Sequence, residues 1–279
     1  MQLSHKYILN ILPDRVADSH KGDYGKILLL CGSRGFTGAA ALAAMGALRS
    51  GAGLVYVGVP ESIYAIEAVK LNEAIVFPLP EEDGKLSAKA IPTIRKYLQT
   101  VDAVLIGCGL GISIGTMAAL DAVLREFSGP VVVDADGITM LANCPVLVTE
   151  RQYPTILTPH EGEFRRLGIA TEEERLTGAM LVARELGCIV LRKGYETVIT
   201  DGKEYYINST GNPGMAVGGS GDVLAGILVS LLGQGIDPLK AAACAAWLHG
   251  AAGDRCAEKM GQYGMLPSDM LQELPLLMK

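Results

Sequence analysis

No apolar run in this 279-residue chain reaches the ~18 positions free of charge, glycine or proline that a membrane-spanning helix needs. Met1 to Asn10 carries polar residues where a secretory h-region would stand, so no secretion signal is expected. There is no basic stripe. Lys and Arg number 24 against 30 Asp and Glu, a net charge of −6, and nucleic acid is not an expected partner. Charged residues are sparse at 19% against 49% hydrophobic, the reverse of a disordered chain. Six cysteines, at 31, 108, 144, 188, 244 and 256, are widely spaced and form no C-x-x-C pair. They read as buried free thiols of a reducing, cytoplasmic compartment rather than as a zinc site. H-E-x-x-H and G-x-x-x-x-G-K-[ST] are both missing, which removes a zinc protease and a P-loop.

What the chain has in excess is glycine, 34 residues against a usual ~7% of a chain, with no G-X-Y period. The glycines gather at 32–38, 107–115, 211–221 and 226–235, and the first three clusters follow expected strands or lead into helices. Apolar runs at 27–31, 54–59, 74–79, 103–107, 131–134, 155–158 and 188–192 read as buried strands. Helical patterns lie between them at 39–50, 88–99, 115–127 and 175–186. A hairpin is expected over 197–207, followed by helices at 223–232, 239–260 and 268–278. Such alternation predicts an α/β fold with a mostly parallel central sheet buried on both faces. No linker or repeat divides it, so residues 1–279 are expected to form one domain.

In open α/β sheets, ligands bind beyond the carboxyl ends of the strands. Glycines 32, 35 and 38 have the wrong spacing for a dinucleotide fingerprint, and Ile112 stands where the second loop would need its last glycine. The third loop, Asn212 to Asp222, is sharper. Gly219, Ser220 and Gly221 at a helix start offer free N–H groups at the positive end of the helix dipole, an anion hole. Asp222 follows in the first turn, either as a helix cap or as a base beside that hole. A base next to an anion hole is the equipment for phosphoryl transfer to a hydroxyl. Leu157-Thr158-Pro159-His160-Glu161-Gly162-Glu163 leaves a strand end and opens a short helix that puts His160 and Glu163 on one face. Lys193 to Thr197 is a glycine turn that either holds nucleotide phosphates or ribose or is a plain β-turn. Asp134 and Asp136 end another strand, where they either hold Mg²⁺ through water or cap the next helix.

Taken together, these segments resemble the ribokinase-like superfamily, and within it the ADP/ATP-dependent NAD(P)H-hydrate dehydratases. The resembling stretches are Ser19–Gly25, Thr37–Ala40, Ala47–Gly53, Leu157–Phe164, Lys193–Thr197, Gly218–Gly226 and Trp247–Gly250, in the family's order along the chain. The resemblance implies a ribokinase-like three-layer αβα fold and a metabolite-repair lyase. Such an enzyme would return the S-form of hydrated NADH or NADPH to NADH or NADPH, with ADP or ATP as co-substrate. The ring hydroxyl would be phosphorylated, and phosphate, a far better leaving group than hydroxide, would then depart.

By position, the resemblance makes Asp222 the catalytic base and Gly219, Ser220 and Gly221 the anion hole. Lys193, Gly194, Tyr195, Glu196, Thr197 and Gly221 would bind the nucleotide. Ala39, Gly109, His160 and Asp222 would line the hydrated dinucleotide, and Glu163 would act indirectly near Mg²⁺. It further implies a cytoplasmic homotetramer working beside a separate epimerase for the hydrate, since 279 residues leave no room for the epimerase domain fused in some relatives. Two departures stand out: His160 replaces the Asn of many sugar kinases, and Cys108 replaces a Pro expected in Gly-x-Gly-Leu. The same loop and base would also serve a hydroxyl kinase acting on a vitamin precursor, or a nucleotide-binding regulator without turnover.

Overall fold

Residues 3–170 and 173–279 are described in the computed structural model of the chain. Eleven strands run through them: β1 (Lys26–Leu30), β2 (Leu54–Pro60), β3 (Ile75–Leu79), β4 (Glu81–Glu82), β5 (Lys85–Leu86), β6 (Ala103–Ile106), β7 (Val131–Val133), β8 (Thr155–Leu157), β9 (Ile189–Arg192), β10 (Thr197–Thr200) and β11 (Tyr205–Asn208). β4 and β5 pair with each other alone, and the other nine form one sheet in the order β11-β10-β9-β8-β7-β6-β1-β2-β3. From β9 to β3 every neighbouring pair is parallel, while β10 and β11 return as an antiparallel hairpin.

Alternation along each strand explains why the sheet needs cover on both sides. Ile27 and Leu29 enter one core with Leu105 and Val132, whereas Leu28 and Leu30 enter the other with Val104 and Val133. The helices are α1 (His5–Leu9), α2 (Thr37–Arg49), α3 (Glu61–Lys70), α4 (Ile91–Leu98), α5 (Ile114–Glu126), α6 (Asp136–Leu141), α7 (Val146–Thr149), α8 (Glu161–Arg166), α9 (Arg175–Leu186), α10 (Ser220–Gly233), α11 (Pro238–Met260) and α12 (Pro267–Leu277). Helices α2, α10, α11 and α12 cover one face; α4, α5 and α9 cover the other. No helix among the described residues is long and apolar enough to cross a membrane.

The strands and longer helices stand where the sequence places them, within a few residues at their ends. The short elements α1, α6, α7 and the β4–β5 hairpin do not follow from periodicity, since they span too few residues to show one. Helix α10 begins three residues earlier than expected, at Ser220. Its N-cap is Gly219, in the left-handed region at φ +96°, where a methyl group would also lie 2.4 Å from Leu42 Cδ1. Asp222 is therefore inside the first turn and does not cap the helix. Helices α2 and α10 meet backbone to backbone. A methyl at Gly46 would stand 2.7 Å from Val223 O, and one at Gly226 would stand 2.1 Å from Ala43 O. The alanine-rich faces of α2 and α11 are spent in this packing, with Ala40, Ala43, Ala44, Ala47 and Ala241–Ala245 fully buried.

Candidate active site

The loops after β1, β6, β7, β8 and β9 meet beyond the carboxyl ends of these parallel strands and are laced together. Gly32 N–H donates to Cys108 O at 2.8 Å, and Lys193 N–H donates to Pro159 O at 2.8 Å. Gly111 N–H donates to Asp136 Oδ2, and Thr158 Oγ1 to Asp134 Oδ1, both at 2.8 Å. Gly109 touches Ala39: a methyl at Gly109 would lie 2.7 Å from Ala39 Cβ, which brings together two of the residues expected to line the dinucleotide. Between the two aspartates at the end of β7, Ala135 has φ +49°, a strained conformation for a residue with a Cβ and one that gathers at functional sites.

At the centre lies Lys193. Its Nζ is turned inward, 2.7 Å from Asp134 Oδ1 and 3.8 Å from Glu163 Oε2. Burial alone would lower its pKa, but the two carboxylates outweigh that and hold it above its ordinary value. One donor atom each from Cys108, Asp134 and Asp222 fall within 4.8 Å of one another. Cys108 Sγ donates to Asp134 Oδ2 at 3.6 Å, and its pKa is driven far up by contact with Cys31, by burial and by the nearby carboxylates, so it stays a thiol. Asp222 is pushed up to about 6 by burial and by the charge of Asp134, against the opposing pull of Cys108 and Lys193. A base with a pKa near working pH suits general-base work.

The opening turn of α10 faces this cluster. A methyl at Gly221 would lie 3.4 Å from Lys193 Nζ and 3.9 Å from Asp134 Oδ2, so glycine keeps that space open. Ser220 N–H is used by Val217 O at 3.3 Å, and Val223 N–H by Gly219 O at 3.2 Å. That leaves Gly221 and Asp222 N–H in the turn where a helix has no earlier carbonyl to satisfy its donors. Of the expected anion-hole residues, Gly219 thus shapes the turn, Ser220 is partly committed, and Gly221 presents a donor.

His160 caps α8. Its Nδ1 accepts from Gly162 N–H at 2.9 Å and Glu163 N–H at 3.3 Å, while Glu163 Oε2 accepts from His160 N–H at 2.8 Å. Glu163 is buried, which raises its pKa against the lowering pull of Lys193. Gly194, Tyr195, Glu196 and Thr197 form the turn from β9 to β10, closed by Thr197 Oγ1 donating to Gly194 O at 2.9 Å, with Tyr195 exposed. Sequence reasoning misses what braces that turn. Arg175 Nη2 donates to Arg192 O at 3.1 Å and Lys193 O at 3.3 Å, and Arg192 Nη2 pairs with Glu161 at 2.9 Å. These partners come from separate elements, so no local spacing announces them.

Not every resembling segment reaches the site. Ser19–Gly25 and Gly53 lie at the amino ends of β1 and β2. A methyl at Gly53 would stand 1.8 Å from Lys21 O, and one at Gly25 would stand 2.3 Å from Gly233 O. Those glycines serve close packing.

The sequence matches the family model described as NAD(P)H-hydrate dehydratase over residues 27–276. The chain belongs to the NAD(P)H-hydrate dehydratase family. It is 45% identical over 275 residues to the bifunctional NAD(P)H-hydrate repair enzyme of Moorella thermoacetica, covering 96% of this chain and 52% of that protein. The chain thus spans about half the length of the curated relatives it matches. Among solved structures, it resembles the ADP/ATP-dependent NAD(P)H-hydrate dehydratase of Bacillus subtilis, co-crystallised with ATP and Mg²⁺, at TM-score 0.83 and 32% identity over 98% of this chain and 96% of that one. A ribokinase-like superfamily protein of Enterococcus faecalis superposes with TM-score 0.87 at 29% identity, covering 99% and 94%. The order and direction of the strands agree with these neighbours: the fold is ribokinase-like.

Proposed function

We propose that the chain returns the S-form of hydrated NADH or NADPH to the reduced nicotinamide, using ADP or ATP. The observation that carries this is Asp222, half-buried beside Lys193 and the open turn at Gly221. Asp222 takes the proton of the ring hydroxyl as its oxygen attacks the terminal phosphorus. The N–H groups of Gly221 and Asp222, with Lys193, offset the charge of the phosphoryl in transit. The ring C–O bond then breaks, phosphate leaves, and loss of a proton from the adjacent carbon forms the double bond. The water removed is carried away in the phosphate.

Ala39, Gly109 and His160 line the dinucleotide in this reading, and Gly194 to Thr197 hold the nucleotide. Mg²⁺ neutralises phosphate charge when it arrives with the nucleotide. Asp134 and Glu163 already accept from Thr158, His160 and Lys193, which suits contact with that ion through water rather than direct ligation. All six cysteines are free, in keeping with a cytoplasmic enzyme. A homotetramer is part of the reading through the resemblance alone, because the alanine faces are buried within the subunit. The other epimer of the hydrate needs an epimerase, as a separate or fused unit, and the bifunctional names of the relatives support that pairing.

Product analysis tests this. With hydrated NADH and ATP or ADP, reduced-nicotinamide absorbance should return with one phosphate released per NADH. A stable phosphorylated alcohol with no NADH recovered would instead mark a hydroxyl kinase.

A further inference from the structure

His249 belongs to α11, outside the loops that build the site. Its Nε2 nevertheless lies 3.2 Å from Ser220 Oγ, the first residue of α10, and both residues are buried. Burial, with the charge of Lys193 acting in the same direction, pushes the imidazole down to about 4, so the ring is neutral near pH 7 and offers one donor and one acceptor. The helix carrying it is pinned from the other side. Thr210 Oγ1 donates to Trp247 O at 3.1 Å, and a methyl at Gly250 would stand 2.3 Å from that same Oγ1. His249 therefore reaches Ser220 from a segment with no room to shift. Ser220 in turn sits between Gly219, at φ +96°, and the open Gly221. A serine at the opening turn of a helix readily bonds to nearby backbone instead, which would let this glycine-flanked turn adopt more than one arrangement.

We propose that His249 is a positioning residue for phosphoryl transfer, holding Ser220 from α11 so that the N–H groups of Gly221 and Asp222 keep one direction toward the transferred group. This rests on the reading of the site as a phosphoryl cradle. The ring acts through Ser220, so its removal should alter kcat more than nucleotide affinity.

The test compares wild type, His249→Ala, His249→Gln, Ser220→Ala and the double alanine variant. Turnover of hydrated NADH is measured, together with binding of ADP alone and of ADP with aluminium fluoride, a mimic of the phosphoryl in transit. His249→Ala should lower kcat by about tenfold to a hundredfold, the scale of a misplaced catalytic group, and weaken the fluoride complex in parallel. Affinity for ADP alone should change less than about threefold, because the lost interaction acts mainly in the transition state. Glutamine, whose amide reaches the position of Nε2, should recover most of the loss, and the double variant should be no worse than Ser220→Ala. Wild-type kcat in His249→Ala, or losses that multiply in the double variant, would overturn the proposal. If His249→Ala does not fold, His249→Gln and Ser220→Ala decide the matter: wild-type kcat and mimic affinity in Ser220→Ala would overturn it. A wild-type protein that binds the fluoride complex no better than ADP contradicts the phosphoryl-cradle reading, and the proposal falls with it. Wild type and His249→Ala binding the fluoride complex equally tightly contradicts the proposal alone.

Discussion

Helix α10 carries two kinds of glycine within its first two turns. Gly221 faces the ion pair of Lys193 and Asp134, where an added methyl would make only ordinary contacts of 3.4 and 3.9 Å. Gly226, little more than one turn on, faces α2, where the same methyl would collide with Ala43 O at 2.1 Å. One glycine keeps room for a reaction, and the other lets two helices touch. The composition excess that marks the chain is the sum of both uses, and only the surroundings separate them.

Substitution should pull the two apart. Gly226→Ala should cost more than about 4 kcal/mol, because backbone cannot move aside as a flexible side chain can, and the protein should fail to fold or melt far below wild type. Normal melting would mean that α2 and α10 are not packed as described. Gly221→Ala should keep the wild-type melting temperature within a few degrees yet lose about a hundredfold in turnover, because the methyl takes the space beside Lys193 Nζ that the transferred group needs and pushes it off the N–H donors. Equal activity would place the reacting atoms elsewhere.

The smallest effect concerns the charge that the open turn faces. The folded pKa of Asp222, about 6, lies above its ordinary 3.8, so the folded state favours the proton. The stability this contributes is whole below about pH 4 and is lost as pH rises through 6. Asp222→Asn should therefore be more stable than wild type at pH 8, by about 1–2 kcal/mol once solvent screening at this half-buried group reduces the full ~3 kcal/mol of the shift, with the gain vanishing near pH 4. Melting curves at the two pH values check this, and a gain that is equal at both would contradict it. The same pKa gives kcat/KM a limb that rises with pH through about 6, because the base must be unprotonated.

Strand positions, the parallel sheet and the hairpin were legible because apolar runs and turn residues are local signals. So was the glycine-Asp222 loop. Lys193 was legible as part of a turn, but its inward direction depends on Asp134, 59 residues away. His249 was legible only as part of a resembling segment, since Ser220 lies 29 residues from it. The arginine brace of Arg175 and Arg192 left no trace in spacing. Partners that meet only after the sheet assembles leave no periodic mark, and the close approach of the Ala43 backbone to Gly226 belongs to that class.

The most direct measurement is the turnover of hydrated NADH by Asp222→Asn beside wild type, with nucleotide binding measured on the same samples. A general base at Asp222 requires recovered NADH in the wild type, a loss of about a thousandfold in the variant, within the range for removing such a group, and nucleotide affinity nearly unchanged. Equal turnover in the two proteins would mean that Asp222 is not the base.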